Sequence, residues 1–589
     1  MATDINFLFQ IPEYSFKNHP KSDLLAHKVN GAWKKYSSKD FCEITDQVAS
    51  GFHALGLKAG DRIAMASFNC PQWQFINLGA AKLGVVNAPL YANITAEEYK
   101  FILNDCKARV MMVENQELFD KIHSIKDEVE SLEHIFSFDE IDGCKHWTEI
   151  QNLGKENPVP EVLKENQSKA DPNKLYTLIY TSGTTGNPKG VMLSHKNILS
   201  QIDAVQKILP IGESDTGLSF LPLCHSFERT IEYFYMYLGT SIYYAESMDT
   251  IGDNLKEVKP TIMPTVPRLL EKVYDKIMAK GADLTGIKKA LFFWAVDLGL
   301  EYEYSGKSAW YSFKLKIANK IIFSKWREAL GGNMRMIASG AAALQPRLAR
   351  LFTAAGIPIL EGYGLSETSP VISVNQFNVQ GRKFGTVGPV IENVEVKIAD
   401  DGEILCKGPN VMLGYLNRPD LTKEVIDDDG WFHTGDIGKI EDGRFIKITD
   451  RKKEIFKTSG GKYVAPQVLE NKYKESSLID QIMVIGEGEK HPAALISPNF
   501  EALEEYCNHK GIPFNNQEEV VKNPEIIDKF EREINKQNHH FSKYEQVKKI
   551  AVLPATWSVE TGELTPTLKL KRRVIMQKFE SQVKAIYQG

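Results

Sequence analysis

The chain has 589 residues, and single hydrophobic cores tend to split beyond about 250 to 300, so at least two domains are expected. With 43% hydrophobic and 25% charged residues it is neither a disordered nor a fibrous chain, and a net charge of −5 argues against a general nucleic-acid-binding surface. Seven cysteines, odd in number and without CxxC spacing, fit neither a disulfide framework nor a metal cluster. The start, Met1 to Phe16, contains Asp4 and Glu13 and lacks a basic leader. No run approaches the roughly 20 apolar residues of a membrane span, so a cytoplasmic location is the default expectation.

In chain order, residues 22–110 alternate helical patterns such as 40–57 with apolar runs such as 62–66, joined by a turn at Gly60-Asp61, which is α/β texture. The polar stretch 155–173 holds Pro158, Pro160 and Pro172 and reads as a surface connection. Strands are expected at 175–180 and 191–193, after which Ser194 stands where an N-cap would open a helix over 195–208. Further on, 335–338 reads as a strand and 340–344 as a small-residue turn. A helix over 345–355 follows, with Pro346 near its first position and Gly356 past its end, and a strand at 357–360 completes a βαβ-like unit. From about Arg451 the chain becomes Lys- and Glu-rich, with helices around 500–511 and 524–537, which places a domain boundary near Asp450 and gives domains 1–450 and 451–589.

Between the strands at 175–180 and 191–193 lies Tyr180-Thr181-Ser182-Gly183-Thr184-Thr185-Gly186-Asn187-Pro188-Lys189-Gly190. Its glycines let backbone N–H groups approach an anion, its hydroxyls donate to phosphate oxygens, and Lys189 adds positive charge. A P-loop would need GxxxxGK followed by Ser or Thr and then a helix, and neither is present. A plain Ser/Thr/Gly-rich surface turn is the competing reading, and the length and order of this segment weigh against it.

The segment resembles the signature of the adenylate-forming superfamily of acyl-CoA synthetases, peptide-synthetase adenylation domains and beetle luciferases, whose pattern is close to YTSGTTGxPKG. Other family-like segments follow in the family's order: Leu221-Pro222-Leu223-Cys224-His225-Ser226, Gly362-Tyr363-Gly364-Leu365-Ser366-Glu367-Thr368, His433-Thr434-Gly435-Asp436 and Asp450-Arg451-Lys452-Lys453. The resemblance implies an α/β multidomain fold, with a large N-terminal domain of parallel and mixed sheets and helices and a small mobile α+β C-terminal domain. It also implies attack of a carboxylate on the α-phosphorus of ATP, with Mg²⁺ and positive side chains offsetting charge.

By that resemblance, Thr181, Ser182, Gly183, Thr184, Thr185, Gly186 and Lys189 grip the triphosphate. Glu367 helps hold Mg²⁺, Thr368 contacts the α-phosphate, and Gly340-Ala341-Ala342 forms the strip against which adenine packs. Tyr363 and Gly364 fall among the nucleotide-binding positions and His225 among the catalytic ones. Asp436 accepts from the ribose hydroxyls and Arg451 assists at ribose and phosphate. Lys453 corresponds to the hinge about which the small domain rotates so that coenzyme A can attack the acyl-adenylate. The segment Glu563-Leu564-Thr565-Pro566-Thr567-Leu568-Lys569-Leu570-Lys571-Arg572-Arg573 resembles the one carrying the adenylation lysine. The family's usual Gly-Lys is Leu568-Lys569 here, so Lys569 is favoured and Lys571 is the alternative.

Residues 429–453 and the long region 274–332 are similar to long-chain fatty acyl-CoA synthetases, which implies a fatty acid, ATP and CoA as ligands. Alternatives are a fatty acyl-AMP ligase loading a carrier protein and a non-catalytic acyl- or nucleotide-binding scaffold. Residues 306–327 carry six basic side chains and no acidic one, interleaved with Trp310, Tyr311, Phe313, Phe323 and Trp326. They fit a peripheral contact with an anionic membrane, or equally a helix that buries its aromatics in the core. Phe227, Tyr233, Phe234, Tyr237 and Tyr243 are candidates to line an acyl tunnel, with core packing as an equal contender.

Overall fold

The computed structural model describes residues 3–181, 187–565 and 568–588. Two eight-stranded sheets carry most of the chain. In one, Ile262–Thr265, Met336–Ser339 and Ile359–Gly364 run parallel and side by side, so Thr265, Ser339 and Glu361 finish on a common edge. In open α/β sheets, ligands gather at such carboxyl ends. The other sheet is built on parallel Arg62–Ala66, Val86–Leu90 and Val110–Val113 and passes to the antiparallel pair Leu175–Thr181 and Lys189–Ser194. Val86–Leu90 and Val110–Val113 are buried along their whole length, and Val110–Val113 is accordingly an unbroken apolar run.

Next comes a four-stranded antiparallel sheet, Glu395–Ile398, Glu403–Lys407, Phe432–Glu441 and Phe445–Arg451. A three-stranded sheet, Ile479–Ile485, Ala493–Pro498 and Lys549–Val552, lies beyond it. Its first strand shows the two-residue alternation directly. Ile482 and Val484 pack with Leu469, Tyr473, Phe530 and Ile534 on one face, whereas Met483 and Ile485 pack with Trp557, Leu564 and Ile575 on the other. The segment before Lys569 is thus fixed to this small sheet. Asp450, fully buried, accepts the N–H of Gln467 at 3.1 Å in the first turn of the helix Pro466–Tyr473, tying the two sides of the expected boundary together.

Local chemistry accounts for the elements around the nucleotide loop. Ser194 Oγ accepts the N–H of Asn197 at 3.1 Å and Asn197 Oδ1 accepts that of Ser194 at 2.8 Å, a reciprocal cap that opens the helix His195–Val205. The βαβ unit is present as Met336–Ser339, the helix Pro346–Ala354 and Ile359–Gly364. The stretch 155–173 departs from the expected surface connection. Helices Thr148–Glu156 and Pro160–Ser168 occupy most of it, because Pro160 takes the first helical turn, where its missing N–H costs nothing, and Leu163 supplies a buried anchor. All seven cysteines are free thiols.

The aromatics considered for an acyl tunnel mostly serve the core. In the helix Ser226–Tyr237, Arg229 is buried without a carboxylate partner among the described residues. It donates to Tyr233 Oη, Thr177 Oγ1 and Asn77 Oδ1, each at 2.7 Å, and stands over the ring of Trp73. Tyr233 is therefore part of a polar knot that locks this helix onto Leu175–Thr181, while Phe234 packs in the same core cluster. Tyr237 stacks on Tyr14, and Tyr243 donates to Asp23. Only Phe227 faces the edge where the parallel strands end: its ring would stand 3.1 Å from a Cβ placed on Gly340.

Candidate active site

Asp436 lies in Phe432–Glu441 directly across the antiparallel ladder from Arg451, the last residue of Phe445–Arg451. Register alone brings them together: Arg451 Nε is 3.3 Å from Asp436 Oδ1, and Tyr363 Oη donates to Asp436 Oδ2 at 2.8 Å. Burial pushes the Asp436 carboxyl up, opposed by Arg451, by the Tyr363 hydrogen bond and by Lys569. One carboxylate, two donors and a second cation thus share one site.

Lys569 is the second cation. Its ammonium is pushed down to about 8 by burial and by Arg451, against the pull of Asp436, Glu454 and Glu367. It arrives on a short hairpin in which Leu564 pairs with Leu570, the N–H of Thr565 donates to Lys569 O at 2.8 Å, and Thr565 Oγ1 accepts the N–H of Lys569 at 3.0 Å. Leu568 has φ +60°, the left-handed region that glycine enters freely and that costs a leucine roughly 1–2 kcal/mol. The leucine therefore occupies the conformation for which the family's glycine is suited, and the lysine after it points into the site. Lys571 instead caps the helix Arg572–Lys578, its N–H donating to Glu563 O.

Glu367 sits half-buried in the turn Ser366–Thr368, where Tyr415 Oη donates to its Oε1 at 2.8 Å. Tyr415 reaches it because Gly414–Tyr415 pairs with Lys189–Ser194, and Lys189 Nζ stands 5.2 Å above the Tyr415 ring. The base of the nucleotide loop and the turn carrying Glu367 are thereby linked. Tyr415 was not apparent from the sequence, since no motif contains it. Thr368 is fully buried and its hydroxyl donates to Pro370 O while accepting the N–H of Leu365, so as placed it holds the turn rather than facing the cleft. Gly364 is required by close packing, because a Cβ there would stand 1.7 Å from Pro370 O.

Thr181 ends its strand opposite Lys189. Ser182, Gly183, Thr184, Thr185 and Gly186, expected to grip the triphosphate, lie outside the described residues. Gly340, Ala341 and Ala342 follow Ser339 at the carboxyl edge, with Ala342 exposed and Ala341 at φ +69°. His225 is the N-cap of Ser226–Tyr237: its Nδ1 accepts the N–H of Phe227 at 3.2 Å, and burial, with Lys569 nearby, pushes its imidazole down to about 4. It is neutral near pH 7, fixed at the rim of the Lys569 cluster. Lys453 is exposed in the turn after Arg451, a turn closed by Glu454 N–H donating to Arg451 O at 2.9 Å. Sequence reasoning also missed Glu361, buried at the strand end beside Ser339 and pushed up to about 8 by desolvation.

A two-part fold with carboxylates and cations converging where parallel strands end defines a nucleotide-dependent enzyme of the adenylate-forming type. The chain belongs to the AMP-binding enzyme family: the model for "AMP-binding enzyme" matches residues 13–416 and that for "AMP-binding enzyme C-terminal domain" matches residues 453–589. The chain is 31% identical over 590 residues to Long-chain-fatty-acid–CoA ligase FadD15 of Mycobacterium bovis, covering 97% of this chain and 95% of that protein. It is 32% identical over 607 residues to Long-chain-fatty-acid–CoA ligase 5 of Rattus norvegicus, covering 95% of this chain and 85% of that one. Among solved structures, the anthranilate CoA ligase AuaEII in complex with anthranoyl-AMP shares the fold with a TM-score of 0.75 at 19% identity, over 98% of both chains.

Proposed function

We propose that the protein is an ATP-dependent ligase that converts a long-chain fatty acid and CoA to acyl-CoA, AMP and pyrophosphate through an acyl-adenylate. The observation that carries the reading is the convergence of Lys569 with Asp436, Arg451 and Glu367 across the two parts of the fold. Asp436 takes the ribose hydroxyls, Gly340-Ala341-Ala342 and Tyr363 bracket the adenine, and Arg451 and Lys189 face phosphate oxygens. Glu367 offers one carboxylate with Oε2 unengaged among the described residues, which fits Mg²⁺, a cation bound by one or two carboxylates plus substrate phosphates. Such an ion would offset charge on the departing pyrophosphate. Lys569 bridges the fatty carboxylate and the α-phosphate as the carboxylate oxygen attacks phosphorus and pyrophosphate leaves. A phosphate contact by Thr368 requires its hydroxyl to leave Pro370 O, so its first duty is to hold the Glu367 turn. In the second half-reaction, rotation at Lys453 withdraws Lys569, the CoA thiol attacks the acyl carbon and AMP leaves.

Incubation with ATP, Mg²⁺, palmitate and CoA is expected to yield palmitoyl-CoA, AMP and pyrophosphate. Accumulation of acyl-AMP without acyl-CoA would replace this reading with a carrier-loading acyl-AMP ligase, and absence of both products would favour a binding scaffold. A panel of fatty acids of graded length then sets the preferred chain.

Residues 306–327 support a peripheral membrane contact as part of this reading. Tyr311, Phe323 and Trp326 are buried in the core, as the packing alternative requires. The opposite side of the helix Ala309–Ala318 and the turn after it leaves Trp310 65%, Phe313 52%, Ile317 39% and Ile321 36% exposed, on one stripe at three- and four-residue spacing. Lys314, Lys316, Lys320 and Lys325 flank it and form no ion pair among the described residues. An apolar stripe edged by free cations matches an anionic lipid surface, with about 1 kcal/mol per lysine near the headgroups. The protein is expected to sediment with anionic vesicles and not with zwitterionic ones, and Trp310→Ser with Phe313→Ser to abolish this; equal sedimentation of that double variant would remove the contact. Among the described residues no helix is long and apolar enough to cross a membrane.

A further inference from the structure

Lys569 reaches the site only if the small sheet is held against the large domain, and beyond the site itself a largely buried ion pair among the described residues contributes to this, with Lys474 of the small domain also drawing on Glu271 of the large one. Arg268, in the first turn of the helix Pro267–Ala282, forms an ion pair with Asp480 of the small sheet's first strand, Ile479–Ile485. Both side chains are largely buried, at 16% and 18% exposure. Arg268 is itself held by Glu271 at 3.3 Å, and Glu271 Oε1 accepts from Gln345 Nε2 at 3.2 Å. Gln345 directly follows the Gly340–Leu344 turn, so the contact is anchored next to the strip proposed for adenine. On the other side, Met483 and Ile485 of the Asp480 strand pack with Leu564 and Ile575, and Arg572 donates to Val484 O and to Glu470, so the strand and the Lys569 hairpin move as one body.

We infer that Arg268 and Asp480 are a positioning pair that docks the small domain for adenylation, placing Lys569 in the site, and that must part before CoA attacks. Neither touches substrate. The inference rests on the two-step reaction proposed above and assigns to these two residues the balance between its halves. Reversing either charge sets two like charges against each other at a largely buried contact, so docking is strongly disfavoured by either single change. The reverse pair restores the attraction across the contact in part, since an aspartate at position 268 then also faces Glu271.

The test separates the half-reactions. ATP–pyrophosphate exchange with palmitate reports adenylation, and acyl-CoA formation from supplied palmitoyl-AMP and CoA reports thioester formation. Arg268→Asp and Asp480→Arg are each expected to slow exchange by about tenfold or more while leaving thioester formation from palmitoyl-AMP unchanged or faster. The double exchange, Arg268→Asp with Asp480→Arg, is expected to recover part of the exchange rate lost by either single variant. Thermal melting and Arg268→Met, which keeps much of the unbranched stem without the charge, guard against a folding defect. Single variants that exchange pyrophosphate at the wild-type rate would overturn the inference, as would equal losses in both half-reactions without rescue by the swap. If the wild-type protein itself exchanges no pyrophosphate with any fatty acid, it is the proposed function that fails.

Discussion

Lys569→Ala is expected to lower fatty-acid-dependent pyrophosphate exchange by about 10²–10³-fold, the loss typical for one preorganised charge-stabilising donor. Thioester formation from supplied acyl-AMP should be little changed, because the proposed rotation withdraws the lysine in that step. Lys571→Ala should behave almost as wild type, since its backbone caps the helix Arg572–Lys578 and its side chain is not among the groups around Asp436. Normal turnover in the variant lacking both lysines would refute the assignment. The pH dependence has a definite sign. Only the protonated amine can bridge two anionic oxygens, and in the free enzyme burial and Arg451 lower its ammonium to about 8. The kcat/KM of adenylation should therefore fall as pH rises through about 8, and Lys569→Ala should flatten that limb. Bound carboxylate and phosphate favour the ammonium, so the fall in kcat is displaced to higher pH. His225, lowered to about 4, is neutral across this range and contributes no competing limb.

How much of this could be read from residues alone depended on whether the causes were local. The cap at Ser194, the proline-started helix after Gln345 and the buried runs around residues 62–66 are written in neighbouring residues, and their elements appear within a few positions of where the pattern puts them. The pairing of Asp436 with Arg451 depends on register across a hairpin, and the order of motifs signalled only that they belong together. Tyr415 and the Arg268–Asp480 contact escaped because their partners lie 48 and 212 residues away, at distances where no periodicity operates. The aromatics downstream of His225 stayed open between tunnel and core for a related reason: a buried ring looks the same in sequence whether it faces a ligand or, like Tyr233, a buried arginine. Leu568 shows the opposite case. A residue that departs from the resembled pattern keeps φ +60°, the region a glycine enters freely, which supports the proposed assignment to Lys569.

Glu367→Ala is expected to remove most adenylation, again about 10²–10³-fold, while the protein stays folded. The two parts of that statement rest on different observations. Glu367 is half-buried in a short turn, and its side chain makes one described hydrogen bond, from Tyr415, whose loss is worth about 1 kcal/mol. The turn itself survives, because Thr368 and the tight approach of Gly364 to Pro370 hold its backbone without the carboxylate. For catalysis, the proposed magnesium role gives the cation one protein carboxylate, Glu367, with the triphosphate supplying further oxygens. The variant should therefore need more Mg²⁺ for half-maximal exchange, and Glu367→Gln should resemble it, keeping Tyr415's partner but losing the charge. Tyr415→Phe separates the roles further, since it frees the carboxylate without removing it and should cost far less than Glu367→Ala. Unchanged pyrophosphate release in Glu367→Ala would move the metal site elsewhere, and unfolding of that variant would show the turn to depend on its charge after all.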